Sequence, residues 1–370
     1  MGKICFVFNQ APKYVEASYI LFDRTFDISW CFGTVEDGIK EMDHSLLKKV
    51  KVYQTVNSRI KSFYKLKGIE EVAKNKDYDA YILIGDFRMS SMWKLPYLIK
   101  LHNRKAKIIF WTHGWYGRES KVKVLIKKMF FAPADDILLY GNYAKDLMIQ
   151  NGFKEKKLHV IHNSLDHSAQ LTLRNSLKKS DILLSHFNNN NPVLVVIGRL
   201  TERKKLDMLI ESLAILKNKG KCYNALIIGD GPARKQLEKM VVAKSLKDSV
   251  WFYGECFDEQ TNAELLFNSD LCIVPGDIGL TAIHALTFGV PTITHDCYIF
   301  QGPEFEAIKE GETGAFYKHN DIQSLVATIS KWFSKPSYDR EAIRNLCYEE
   351  IDNYWTPEYE LDILKKVLNQ

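Results

Sequence analysis

Two basic side chains and a glycine loop are the residues here best equipped for chemistry. Arg199 and Lys204 follow the strand-like run 193–198, one in the turn and one where a helix opens. Further on, LCIVPGDIGLTAIHALTFGVPTITHD (271–296) reads as strand, glycine loop, helix and strand. Gly276, Asp277 and Gly279 lie in its loop, and Leu280, Thr281 and His284 where the helix starts. An arginine fork, an ammonium, bare glycine amides and a helix N-terminus all favour an anion. A diphosphate suits that set, although the same pattern also serves an unliganded βαβ unit.

These residues need strands to aim them. Short apolar runs at 3–8, 28–32, 78–84, 107–111, 136–140 and 158–161 alternate with amphipathic stretches, the pattern of a parallel sheet with helical crossovers. Residues 163–192, ending HFNNNNP, break the rhythm and read as a connection. It restarts with strands at 193–198, 224–229 and 250–254 and helices near 205–219, 233–244 and 262–268. At 370 residues the chain is long enough for two cores. The expected division is an N-terminal domain 1–165 and a C-terminal domain 166–355, with a last helix in 356–370 free to pack on either.

The ordered blocks GRLTERKKLDMLI (198–210), IIGDGPARKQL (227–237) and PGDIGLTAIHALTFGVPTI (275–293), followed by EFE (304–306) and GETGAFY (311–317), resemble the donor domain of retaining family-four glycosyltransferases. THGWYG (112–117) and VIHNSLD (160–166) resemble the first half of that family more weakly. The resemblance implies an α/β protein of GT-B fold, two Rossmann-like parallel-sheet domains facing a central cleft. It implies sugar transfer from a nucleotide-diphosphate sugar, a UDP-sugar before a GDP-sugar, with no cofactor and no metal. Arg199 and Lys204 would hold the diphosphate and His113 would face the reacting sugar, these three forming the catalytic set. Gly198, Gly229, Gly231, Gly254, Gly276, Asp277, Gly279, Leu280, Thr281 and His284 would line the donor site. Asn9, Gln10 and Arg118 are the acceptor-side candidates. The dinucleotide fingerprint fails, because Arg234 stands where its third glycine belongs.

The family commonly places two glutamates eight residues apart in the focal stretch. Here those positions hold Gly276 and His284. His284 can still hydrogen-bond a ribose hydroxyl. The missing loop glutamate leaves the sugar open and points to an unusual one. It also leaves two alternatives: a nucleotide-sugar epimerase of the same fold, and a catalytically silent partner protein.

Charge adds a partner. Residues 1–170 carry 28 Lys and Arg against 18 Asp and Glu, while the remainder carries 23 against 27, so the first half is the one suited to an anionic surface. The run KVKVLIKKMFFAP (121–133) interleaves lysines with apolar residues, the form of an interfacial membrane helix and equally of a core helix with a solvated face. Lys61, Lys65, Lys67, Arg104 and Lys105 add to the former. The expected acceptor is a glycan or a polyprenyl-diphosphate-linked oligosaccharide at an inner-leaflet membrane surface, in bacterial surface-polysaccharide assembly. No nucleic-acid module is present. Seven scattered cysteines without CxxC, and the lack of a signal peptide or an 18-residue apolar run, fit a cytoplasmic protein, peripheral on the inner membrane face.

Overall fold

The computed structural model describes residues 2–34, 40–58, 62–335 and 339–369, so Lys61 lies outside the described residues. The chain forms two compact units, Met1–Asp166 with Thr356–Gln370, and His167–Trp355.

In the first unit the strands are β1 (Lys3–Phe8), β2 (Asp27–Gly33), β3 (Val50–Tyr53), the hairpin β4 (Thr55–Asn57) and β5 (Tyr64–Leu66), β6 (Tyr78–Ile84), β7 (Lys107–Thr112), β8 (Asp136–Leu139) and β9 (Leu158–Val160). Seven of them make a wholly parallel sheet in the order β3-β2-β1-β6-β7-β8-β9. Helices cover both faces, which is why its strands read as unbroken apolar runs. Ile4, Phe6 and Phe8 point to one side, into an aromatic layer with Tyr19 and Phe22 of α1 (Glu16–Thr25) and Trp30, Phe32 and Trp111. Cys5 and Val7 point to the other, packed with α2 (Ser91–His102), α3 (Lys121–Phe131) and α4 (Asn142–Gln150).

The C-terminal helix Pro357–Leu368 completes this unit. Leu361, Leu364 and Val367 enter the aromatic layer, and Lys107 Nζ donates to the Val367 carbonyl at 2.6 Å. In its first turn Glu360 is fully buried beside the hydroxyls of Ser18 and Ser164, and burial pushes its carboxyl up from 4.5 to about 8. The folded state therefore holds a proton that the unfolded chain releases near pH 4.5. Its stabilisation is complete below that pH and is lost as pH rises through about 8. Glu360→Gln should remove a slope of up to about 1.4 kcal/mol per pH unit between those limits. Urea unfolding of both proteins at pH 5 and 8.5 checks it; equal slopes refute it.

The second unit carries β10 (Val193–Ile197), β11 (Asn224–Ile228), β12 (Val250–Gly254), β13 (Leu271–Ile273), β14 (Thr292–His295) and β15 (Gly314–Tyr317). They form a second parallel sheet, ordered β12-β11-β10-β13-β14-β15. Its helices are α5 (His167–Ser176), α6 (Ile182–Phe187), α7 (Leu206–Asn218), α8 (Arg234–Ala243), α9 (Glu259–Phe267), α10 (Thr281–Thr287), α11 (Ile322–Phe333) and α12 (Arg340–Tyr354). The expected connection 163–192 is thus a correction, since it holds α5 and α6. Helix α5 packs on α9 and α10, and Leu183 and Phe187 of α6 are buried. Among the described residues no helix is long and apolar enough to cross a membrane.

Candidate active site

The carboxyl ends of β10, β11 and β12 are laid backbone against backbone. Gly198 N–H donates to the Ile228 carbonyl, Leu200 N–H to Asp230 and Gly229 N–H to Gly254, at 2.9, 2.9 and 2.6 Å. Gly229 has a φ of +140°, and a Cβ on it would stand 2.0 Å from the Gly198 carbonyl oxygen. Only a residue without a side chain fits there. A Cβ on Gly231 would stand 2.4 Å from the Leu200 carbonyl oxygen. Gly198, Gly229, Gly231 and Gly254 thus form one floor. Beyond it, Arg234 bridges Asp230 and Glu238 at 2.9 and 2.8 Å, and Tyr253 and Glu255 are exposed.

Lys204 closes the turn Glu202–Lys204 and reaches across to the focal loop. Its Nζ donates to the Ile278 carbonyl at 2.7 Å and to Thr281 Oγ1 at 3.2 Å, while Thr281 Oγ1 donates to the Ile197 carbonyl at 2.9 Å. Lys204 forms no ion pair among the described residues, and burial holds its ammonium below the usual lysine range. The N–H groups of Gly279, Leu280 and Thr281, at the start of α10, have no acceptor among the described residues. A desolvated cation without a carboxylate, beside three amides with no acceptor among the described residues, is suited to an anion. Arg199 is exposed and likewise has no hydrogen-bond or ion-pair partner among the described residues.

Gly276 has a different duty. Its N–H donates to the Lys204 carbonyl at 2.9 Å, the Asp277 N–H donates to the Arg203 carbonyl at 3.0 Å, and a Cβ on Gly276 would lie 1.8 Å from that Arg203 oxygen. The loop glutamate is absent because the turn bearing Lys204 fills its place, so Gly276 offers a ligand neither side chain nor free amide. Asp277 pairs with Arg203 and accepts from Gly302 N–H at 3.0 Å.

His284 donates through Nε2 to Glu259 Oε1 at 2.9 Å, and the same oxygen accepts from Gln170 Nε2 at 2.7 Å. Burial raises the Glu259 carboxyl, but the bonds from His284 and Gln170 outweigh it and hold the group below the usual range. A carboxylate therefore stands beside the helix position where the sequence offers only a histidine. Gln301 and Glu304 are the other residues that sequence reasoning did not single out. Gln301 accepts from Ile278 N–H at 3.0 Å and donates to Thr294 Oγ1 at 2.8 Å, pinning the loop. Glu304 is buried, with a carboxylate oxygen 2.6 Å from the Cβ position of Gly302. The EFE tripeptide was the available signal for Glu304. Glu259 had none beyond Asp258 capping α9, at 3.0 Å from Thr261 N–H.

In the first unit Asn9 and Gln10 follow β1, and His113 follows β7, on the carboxyl side of the same sheet. His113 is exposed, its ring 4.6 Å from that of Tyr140. Its loop is fixed from behind. Lys127 Nζ, buried over the Trp115 ring, donates to the Gly114 carbonyl at 2.6 Å and to Glu119 at 2.8 Å, and Glu119 accepts from the N–H groups of Tyr116 and Gly117. Arg118 lies over the Tyr116 ring. Among the described residues no three His, Cys, Asp or Glu side chains are grouped to hold a metal ion.

Residues 182–346 match the family model described as glycosyl transferases group 1. That segment, a little under half of the chain, is similar to the group 1 glycosyltransferases. The glycine floor and Lys204 lie within the matched segment. The alpha-D-kanosaminyltransferase of Streptomyces kanamyceticus is 28% identical over 111 residues, which are 29% of this chain and 28% of that relative. The chain therefore spans less than a third of that relative's length. The lipopolysaccharide outer core galactosyltransferase WaaB superposes with a TM-score of 0.73 over 99% of both chains at 17% identity. Anabaena HepE in complex with UDP gives 0.72 over 100% of both at 16%. These likenesses establish the fold, two parallel-sheet α/β domains.

Proposed function

We propose that this glycosyltransferase moves a sugar from a nucleotide-diphosphate sugar to a hydroxyl of a glycan or polyprenyl-diphosphate-linked acceptor, with retention at the anomeric carbon and without a metal ion. The observation that carries this reading is Lys204, a desolvated ammonium with no carboxylate partner beside the amides of 279–281. In the transfer the bond from the anomeric carbon to the β-phosphate oxygen breaks and its electrons stay on that oxygen. The acceptor oxygen bonds the carbon on the same face, and the acceptor's proton passes to the departing diphosphate. Lys204, Arg199 and the loop amides meet the developing charge. His284 with Glu259 holds the ribose.

HepE was solved with UDP and WaaB is named for lipopolysaccharide, which supports a UDP-sugar and an acceptor in bacterial surface-polysaccharide assembly. In this reading the enzyme works in the cytoplasm, at the inner face of the membrane.

Thermal unfolding with UDP, GDP, CDP and dTDP tests the donor. UDP at about a hundred times its Kd should stabilise by about 2.7 kcal/mol, equally with and without a chelator. The product should keep the donor's anomeric configuration by NMR. No shift with any nucleotide, or a shift that needs a divalent cation, overturns the reading.

A further inference from the structure

Helix α3 turns an apolar stripe away from the core. Val122, Leu125, Ile126 and Met129 are 69, 59, 38 and 58% exposed, whereas Lys127, Phe130 and Phe131 of the same helix are buried. At about 100° per residue the four exposed side chains share an arc of about 100°. Lys121 and Lys128 border one margin and Lys123 the other. The helix contains no acidic residue, and none of these three lysines forms an ion pair among the described residues. Its roll is fixed, because the buried ammonium of Lys127 is tied to Gly114 and Glu119.

We infer that this face of α3 lies flat on an anionic lipid surface, the four apolar residues entering the acyl boundary and the three lysines meeting headgroup phosphates. The charge pattern selects that occupant. A second copy of the chain would set unpaired lysines against unpaired lysines, and a nucleic acid would leave the apolar stripe unsatisfied. The inference deepens the proposed function and rests on it for one point, that the acceptor is carried on a lipid. Lys127 joins the docked helix to the Gly114 carbonyl, so the surface that binds lipid also supports the loop that carries His113.

Cosedimentation of the full chain with vesicles of phosphatidylcholine alone, or mixed with phosphatidylglycerol, tests this. The parent should bind the anionic vesicles, weakening as salt rises, and leave the neutral ones. Leu125→Glu with Met129→Glu should weaken binding at least about tenfold. Replacing Lys121, Lys123 and Lys128 by Gln should weaken it about fivefold per lysine. These side chains are exposed, so thermal unfolding and the UDP-induced shift should be unchanged in every variant. A parent that ignores both vesicles, variants that bind as well as the parent, or variants that only convert a dimer to a monomer in light scattering would overturn the inference. If vesicle binding follows the pattern but no nucleotide stabilises the parent, the donor reading fails and the lipid surface stands.

Discussion

Replacing Lys204 by Met should lower turnover by about 10²–10³-fold while leaving thermal stability equal or higher. The two halves of that expectation come from one fact. A desolvated ammonium with no carboxylate partner costs the folded protein energy in the absence of an anion, so an apolar chain of similar length relieves the cost. A lysine that merely stitched the 202–204 turn to the 278–281 loop would behave oppositely, losing stability along with activity. Arg199→Ala, at an exposed position, should cost about tenfold to a hundredfold with no change in stability. A pH series supplies a further check. A bound diphosphate favours charged Lys204, so donor affinity should fall as pH rises through that group's pKa, and the fall should begin below the range of an ordinary lysine. Turnover within a factor of about three of the parent in Lys204→Met would refute the assignment.

Gly276→Glu, which restores the glutamate common at that position in the family the sequence resembles, should damage the enzyme rather than improve it. The new Cβ would stand 1.8 Å from the Arg203 carbonyl, a backbone atom that cannot swing aside. The 203–204 turn must then retreat, breaking the bonds from the Gly276 and Asp277 N–H groups and withdrawing Lys204 from Ile278. We expect a loss of about 3 kcal/mol, a fall of about 6–12 °C in Tm, and no nucleotide-induced shift. A variant that melts with the parent and transfers faster would show that the loop has room for the carboxylate. Sugar hydroxyls are then to be sought against Asp277 and Glu304, the carboxylates that flank this loop.

Much of this architecture could be read from the residues. The strands at 3–8, 78–84, 107–112, 193–197 and 224–228 are buried on both faces and so appear as continuous apolar runs, and the glycines at 198, 229 and 231 mark the close backbone approach where such strands end. Where packing is polar, the pattern disappears. Helix α5 buries Gln170 and Arg174, stabilised by Glu259 and by a bidentate pair with Asp352 at 2.9 and 2.7 Å, so its segment looks like solvated connection. β3 is an edge strand whose Val52 is 48% exposed among lysines, and such an edge shows no buried period. The site divides in the same way. Arg199, Lys204 and the glycine loops are local motifs. The meeting of His284 with Glu259, 25 positions apart, is made only by the fold.

The C-terminal helix has a consequence for how the molecule is made. The aromatic layer of the first unit stays open on one flank until Leu361, Leu364 and Val367 have been synthesised, some two hundred residues after Asp166. At about 5–20 residues per second that interval is roughly 10–40 s, during which the second unit is free to fold first. Nascent first unit must wait with Phe6, Trp30 and their neighbours partly unsheltered, so a chaperone that binds aromatic surface has its longest opportunity there.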